Sequence, residues 1–304
     1  MTEEKLTELG ISSIIFERKM GLFDGLKLIR QHGFSCVDLS ICDYSLPSTP
    51  EEESFRGDGW ESVIERLQRH LEAIGLRCNQ AHGTWGQTTD LSDFCPPDAM
   101  QYRQIEIARR LGADTLVFHP VLPSKRVETG EERQRYIDYT VEWFKYLAEF
   151  VASRSAGIAI ENVFADRGNE PHEGLYPFGD AASLNEVVDR VGYAGLGVCL
   201  DTGHAHLHVG RRLGDMIDSL GHRIRCLHLN DNMGRKANVG ASDLHLVPVG
   251  DGIDLAEVAE HLQAIGYDGA LSLEVVDRTP NETVLREYLR HAYESSVAFS
   301  AYFS

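Results

Sequence analysis

The chain has 304 residues, 42% apolar and 25% charged, which is an ordinary globular composition, and no apolar run approaches the ~20 residues needed to cross a bilayer. Lys and Arg number 29 against 47 Asp and Glu, a formal charge of −18 that repels a polyanion such as DNA and leaves small neutral ligands unaffected. The opening MTEEKLTELG is charged and has no apolar stretch ending in a small-residue cleavage site, so it does not read as a secretory signal and a cytoplasmic location is expected. Cys36, Cys78, Cys199 and Cys226 sit in short apolar runs with no CxxC pair, and are expected to be buried thiols without chemistry.

Short apolar or β-branched runs bounded by turn signals recur along the chain and alternate with helix-period stretches. Strands are expected at 10–16 (GISSIIF) and 34–40 (FSCVDLS), then a helix over 59–74, a strand at 75–82 (GLRCNQAH) and a helix over 98–111. A strand at 113–119 (ADTLVFH), a helix over 132–152, a strand at 157–163 (GIAIENV) and a helix over 181–191 follow. The remaining strands are 195–201 (GLGVCLD), 223–229 (RIRCLHL) and 269–275 (GALSLEV), with helices over 254–265 and 281–298. Continuously apolar strands suit a parallel sheet covered by helices, and eight such repeats fit closure into an α/β (β/α)8 TIM barrel, a fold that takes roughly 250 residues. One domain over 1–304 is expected, without an interdomain linker. Gly33, Gly75, Gly112, Gly157 and Gly266 fall where helices should stop. Three long loops, 41–58, 164–180 and 230–252, follow strand ends and so belong to the C-terminal mouth, as walls or covers for a substrate.

The informative residues stand at the strand ends: His82, His119, Glu161, Asp201, His228 and Glu274 each close, or directly follow, an apolar run. Alone, a strand-end histidine reads as a satisfied core group and a glutamate as an arginine partner. Together at one barrel mouth they make a poor core, because buried polar groups must be satisfied and unpaired buried charge costs several kcal/mol per ion. A divalent cation removes that cost. Carboxylate oxygens with imidazole suit Mn²⁺ or Zn²⁺, with Mg²⁺ and Co²⁺ also compatible, and the absence of thiolate ligands argues against a structural zinc.

The strings AHGTW (81–85), LGADTLVFHP (111–120), IAIENV (158–163), CLDTGHAHLH (199–208), LHLNDNMGR (227–235), SDLHLVPVGDGIDL (242–255) and LSLEV (271–275) resemble the xylose isomerase-like sugar phosphate isomerase/epimerase superfamily, over about residues 10 to 276. The resemblance implies one divalent metal held by Glu161, Asp201, His228 and Glu274. It also implies Glu161 and Glu274 as the proton carriers of a sugar, sugar phosphate or polyol isomerase or epimerase working through a metal-stabilised enediolate, and homo-oligomers are common among such relatives. The superfamily includes a DNA-repair branch, endonuclease IV, with three zinc ions on nine ligands, and the chain resembles that set at His82, His119, Glu161, Asp201, His204, His228, Asp243, His245 and Glu274.

The two branches demand different surfaces. A nuclease needs a basic groove and wedge residues, whereas the loop after the second expected strand reads PEEESFRGD and that after His82 reads GTWGQTTDLSDF. The isomerase or epimerase reading is therefore preferred, with a small sugar or polyol as partner, neither nucleic acid nor membrane, and the abasic-site nuclease as the alternative. On that reading His82, Trp85, His119, His204 and Arg235 face the substrate, while Asp243 and His245 either bind a second metal or hold His204 by hydrogen bonds. Lys236 is read equally well as a substrate contact or a solvated loop charge. His206 and His208, past the strand end, are read as polar surface, as are the helical His32, His70, His222, His261 and His291.

Overall fold

The computed structural model describes residues 7–41, 55–84, 88–154, 156–164, 175–234, 243–276 and 281–303. Eight parallel strands form its central sheet: β1 (Leu9–Ser12), β2 (Cys36–Ser40), β3 (Arg77–His82), β5 (Thr115–Phe118), β7 (Gly157–Glu161), β8 (Leu196–Asp201), β9 (Ile224–His228) and β10 (Leu271–Leu273). The order is β10-β1-β2-β3-β5-β7-β8-β9, and a parallel bridge between Leu229 and Leu273 joins its two ends. Glu274 N donates to Leu229 O at 3.0 Å and Leu229 N to Ser272 O at 2.8 Å, so the sheet closes into a barrel. Two short strands, β4 (Thr88–Thr89) and β6 (Leu122–Pro123), pair beside the mouth and were not expected from the sequence.

The outer layer contains α1 (Ile14–Met20), α2 (Leu22–Gln31), α3 (Trp60–Ile74), α4 (Ala99–Leu111), α5 (Gly130–Ala152), α6 (Ala181–Val191), α7 (Thr202–Val209), α8 (Leu213–Leu220), α9 (Leu255–Ala264) and α10 (Glu282–Ser300). Six match expected helices to within about two residues. The expected strand over 10–16 is corrected: pairing ends at Ser12, and Ser13 O accepts the amides of Phe16 and Glu17, opening α1. Ile14, Ile15 and Phe16 are buried there, and a short buried apolar run has the same sequence pattern in a strand as in a helix. Gly33, Gly75, Gly112 and Gly266 take positive φ as helix stops require, but Gly157 does not: it begins β7, where an added Cβ would lie 2.2 Å from Asp114 O.

Neighbours in register trace the barrel interior upward. Ser12, Asp38, Gln80, Thr115 and Gly157 pair in succession; above them come Ser40, His82, Val117, Ala159 and Gly197. Val117, Ala159, Cys199 and Cys226 form a small buried cluster separate from the main core, which lies between sheet and helices. This narrow apolar floor lies directly below the polar residues of the mouth. The four strand cysteines are buried as expected, and burial holds the Cys36 thiol up to about 12 and Cys199 well above its ordinary value, so both stay protonated and unreactive.

Candidate metal centre

Glu161 ends β7, Asp201 ends β8, His228 ends β9 and Glu274 follows β10. Each offers one donor atom, and the four atoms lie within 4.8 Å of one another. All four side chains are buried, Glu161, Asp201 and His228 completely. Among the described residues three smaller groups adjoin them: His82, His119 and Glu161; His82, His228 and Glu274; and His204, Asp243 and His245. The strand-end residues singled out from the sequence are thus brought together. Trp85, Arg235 and Lys236 lie outside the described residues, as do large parts of the three expected mouth loops.

Glu161 is central. Its Oε2 lies 3.1 Å from His82 Nε2, 3.2 Å from His119 Nε2 and 3.4 Å from His228 Nδ1, and its Oε1 lies 3.2 Å from His204 Nδ1. Burial alone would raise this carboxyl; the imidazoles of His119 and His228 outweigh burial and hold it well below the usual carboxylate range. Glu274 is held down to about 2 in the same way, burial being outweighed by His228 and His245. Asp201 moves the other way, to about 6, because burial and the neighbouring Glu161 and Glu274 exceed what His204 and His245 supply. His204 and His228 are raised well above the ordinary imidazole value: Asp201, Asp243 and Glu161 overcome the burial of His204, and Cys199 together with Glu274 and Glu161 overcomes that of His228. Protons and a divalent cation would compete for this negative field.

His228 has the orientation of a metal ligand. Its Nε2 lies 3.0 Å from Asp38 Oδ2 across the barrel, both side chains completely buried. With Nε2–H donated to Asp38, the Nδ1 lone pair faces Glu274 Oε2 at 3.2 Å and Glu161 Oε2 at 3.4 Å, and Nδ1 has no hydrogen bond. A lone pair aimed between two carboxylates is repulsive unless a proton or cation stands there. Glu161 Oε1 also lacks a hydrogen bond despite the nearby His204 ring, whose Nδ1 instead lies 2.9 Å from Asn162 O. The donor set therefore fits a divalent ion, with oxygen and imidazole ligands and no thiolate.

The surrounding motifs have mechanical roles. Asp201 caps α7, its Oδ1 accepting His204 N at 2.6 Å, while Asn230 Nδ2 donates to its Oδ2 at 2.7 Å. Asn162 clamps the same residue through its backbone, accepting Asp201 N at 2.7 Å and donating to Asp201 O at 2.9 Å. Gly203 lets Asn230 approach, since an added Cβ would fall 1.9 Å from Asn230 Oδ1. Asp231 accepts the amides of Gly252 and Ile253, tying the segment after β9 to the start of α9, and a Cβ on Gly252 would meet Asn232 O at 1.8 Å. Asp243 Oδ2 lies between His245 Nε2 at 2.8 Å and His204 Nε2 at 3.3 Å.

Asp38, Asn162 and Asn230 escaped the sequence reading. Asp38 lies within an apolar strand instead of at its end, and the acid inside CVDLS was its only signal. The surface assignment of His208 is corrected: α7 turns it inward, where it is 7% exposed and packs against Gly179. His206 is half-buried and its Nδ1 lies 2.9 Å from Asn232 Oδ1.

The chain belongs to the xylose isomerase-like TIM barrel family, whose model matches residues 26–295. It is 29% identical over 288 residues to an uncharacterized protein of Methanocaldococcus jannaschii, MJ1311, covering 93% of this chain and 89% of that one. Two solved structures share the fold. A D-tagatose 3-epimerase-like protein is 20% identical with a TM-score of 0.69 over 97% of each chain. The IOLI protein with a bound zinc atom is 16% identical with a TM-score of 0.75 over 98% of this chain and 99% of its own. Among the described residues no helix is long and apolar enough to cross a membrane.

Proposed function

We propose that the protein is a metal-dependent isomerase or epimerase of a sugar, sugar phosphate or polyol, moving a proton at a carbon next to a carbonyl. The observation that carries this reading is the His228 arrangement: Asp38 fixes one ring nitrogen, and the other, without a hydrogen bond, faces the carboxylates of Glu161 and Glu274. Glu161, Asp201, His228 and Glu274 would hold one divalent ion, Mn²⁺ or Zn²⁺ for preference. Such an ion would supply Lewis-acid stabilisation to the oxygens of the substrate and so lower the cost of removing a proton from the carbon next to the carbonyl. The zinc bound by the IOLI protein and the likeness of the chain to a D-tagatose 3-epimerase-like protein support the reading.

The proton work falls to Glu161 and Glu274. Strands β8 and β9 separate them, so they approach a substrate on the axis from different sides, one removing the proton and the other returning it. His82 and His119 stand against Glu161 as substrate-facing groups. His204 is positioned to hydrogen-bond a substrate oxygen, held by Asn162 and by the Asp243–His245 pair, which on this reading orients it without binding metal. Trp85 and Arg235 would complete the pocket wall from the adjoining loops. A screen of ketoses, their phosphates and inosose-type polyols with added Mn²⁺ tests the reading: interconversion lost on chelation is expected, and no turnover of any of them would contradict it.

The groups His82–His119–Glu161 and His204–Asp243–His245 favour a second reading, a zinc-dependent abasic-site nuclease, in which further ions held there would activate water toward a phosphodiester. The charge of −18 weighs against it.

A further inference from the structure

His82 ends β3, and its buried ring lies among the metal-centre candidates. It stacks on His228 with ring centroids 5.3 Å apart, meets the edge of His119 at the same distance, and turns Nε2 to Glu161 Oε2 at 3.1 Å. Its Nδ1 lies 3.0 Å from the carbonyl of Gly83. A carbonyl only accepts, so Nδ1 carries a proton there and Nε2 is the atom presented to the site. The direction of the ring therefore depends on the path that the chain takes through Gly83 and Thr84 as it leaves the strand.

Two glutamines of α4 set that path. Gln104 is fully buried, and its Oε1 accepts Thr84 N at 3.2 Å and Thr84 Oγ1 at 3.0 Å. A backbone amide only donates, so the side-chain amide of Gln104 has a single orientation. Gln101 Nε2 donates to Thr84 Oγ1 at 3.3 Å while its Oε1 accepts Asp98 N at 2.7 Å, which ties the loop to the capped start of α4. Gly83 N donates to Val117 O at 2.8 Å, and an added Cβ on Gly83 would fall 2.6 Å from Phe118 Cε1 and 3.2 Å from Gln104 Oε1. The chain passes this close to α4 because residue 83 has no side chain. Gln101 and Gln104 share the face of α4 that also buries Ile105 and Ala108, a place where an amphipathic helix ordinarily puts apolar residues. Such a departure from the local pattern is expected where a site must be held.

We infer that Gln104 and Gln101 are positioning residues: through Thr84 and the Gly83 carbonyl they hold the His82 imidazole against Glu161, so that its Nε2 meets the substrate in one fixed direction. This deepens the isomerase or epimerase reading and rests on it for the substrate-facing role of His82. Neither glutamine touches the substrate; both act through His82, whose ring must stay within about 0.5 Å of its working place for the site to perform. Thr84 is the joint, because its hydroxyl donates to one glutamine and accepts from the other.

The first test reads the His82 ring itself, in chelator-treated, full-length protein carrying ¹⁵N-labelled histidine. The Nδ1–H signal of His82, assigned by its absence in His82→Gln, is followed for exchange with solvent in wild type, Gln104→Met, Thr84→Val and Thr84→Ser. Gln104→Met and Thr84→Val should speed that exchange at least ~10-fold by loosening the Gly83 carbonyl, whereas Thr84→Ser, which keeps the hydroxyl, should stay within about twofold of wild type. The two Thr84 variants decide the matter if Gln104→Met does not fold. The second test is a double-mutant cycle on turnover of a ketose with Mn²⁺: Gln104→Met should lower kcat at least ~10-fold on its own and by less than about twofold in a His82→Gln background, since residues acting through one group are not additive. Unchanged exchange in folded Gln104→Met, equal exchange in Thr84→Val and Thr84→Ser, or losses that multiply around the cycle would overturn the positioning role. No turnover of any sugar by wild type would remove the isomerase or epimerase reading, and the exchange comparison would then decide the positioning role alone.

Discussion

Replacing Asp38 by Asn removes one charge from the floor of the metal centre and almost nothing else. Asp38 lies on β2, and among the described residues its side chain meets His228 Nε2, 3.0 Å away, with both side chains fully buried. The carboxylate fixes the ring so that Nδ1 points at Glu161 and Glu274, and it makes that nitrogen a stronger donor. Asn is nearly isosteric and can still accept one hydrogen bond, so the fold should survive; the lost charge should weaken metal binding by about 10- to 100-fold, or about 1.4–2.8 kcal/mol. Competition against a fluorescent chelator measures the affinity, and urea denaturation with far-ultraviolet circular dichroism shows that the variant is folded. An Asp38→Asn protein of native stability that binds Mn²⁺ or Zn²⁺ within about twofold of wild type would refute the argument that Asp38 orients a metal-binding imidazole.

Metal affinity should fall as pH is lowered through neutrality, because His204 and His228 hold protons well above the ordinary imidazole value and those protons compete with the ion; calorimetry in two buffers of different ionisation enthalpy should show protons released on binding. Gly252→Ala should cost about 1–3 kcal/mol in urea unfolding, since its Cβ would fall 1.8 Å from Asn232 O and the loop tied by Asp231 would have to shift. Elemental analysis of protein purified without chelator should give one tightly held ion per chain, and no incision of an abasic-site duplex is expected at physiological salt; a stoichiometry near three that drops in His245→Ala would put the nuclease reading first.

The barrel was legible because its strands are apolar runs of ordinary length, six of the eight closed or directly followed by an acid or imidazole, and the metal-centre candidates were legible because a parallel barrel gathers its strand ends. Periodicity failed at Ile14–Phe16, where three buried apolar residues look the same in either conformation, and α7 was obscured by a His-rich stretch with little apolar contrast between its faces. Asp38 was hidden because reading only strand ends discards the layer beneath, and its partner lies 190 positions away. His208 read as surface from composition alone, since the close approach to Gly179 is a tertiary contact with no local signature. The GDG segment was recognisable as a motif, but its role, an amide clamp on Asp231, required the fold.

Solvent deuterium incorporation tests the central claim most directly, because it reports proton transfer next to a carbonyl whatever product accumulates. A ketose or ketose phosphate turned over with Mn²⁺ in D₂O is followed by proton nuclear magnetic resonance, comparing wild type with Glu161→Gln and Glu274→Gln. Wild type should exchange the hydrogen on the carbon next to the carbonyl, and each folded variant should slow exchange by at least ~10²-fold, the lower scale for losing a positioned acid or base. Turnover without deuterium uptake, together with exchange-independent activity that survives in folded Glu274→Gln, would contradict proton transfer by these two carboxylates.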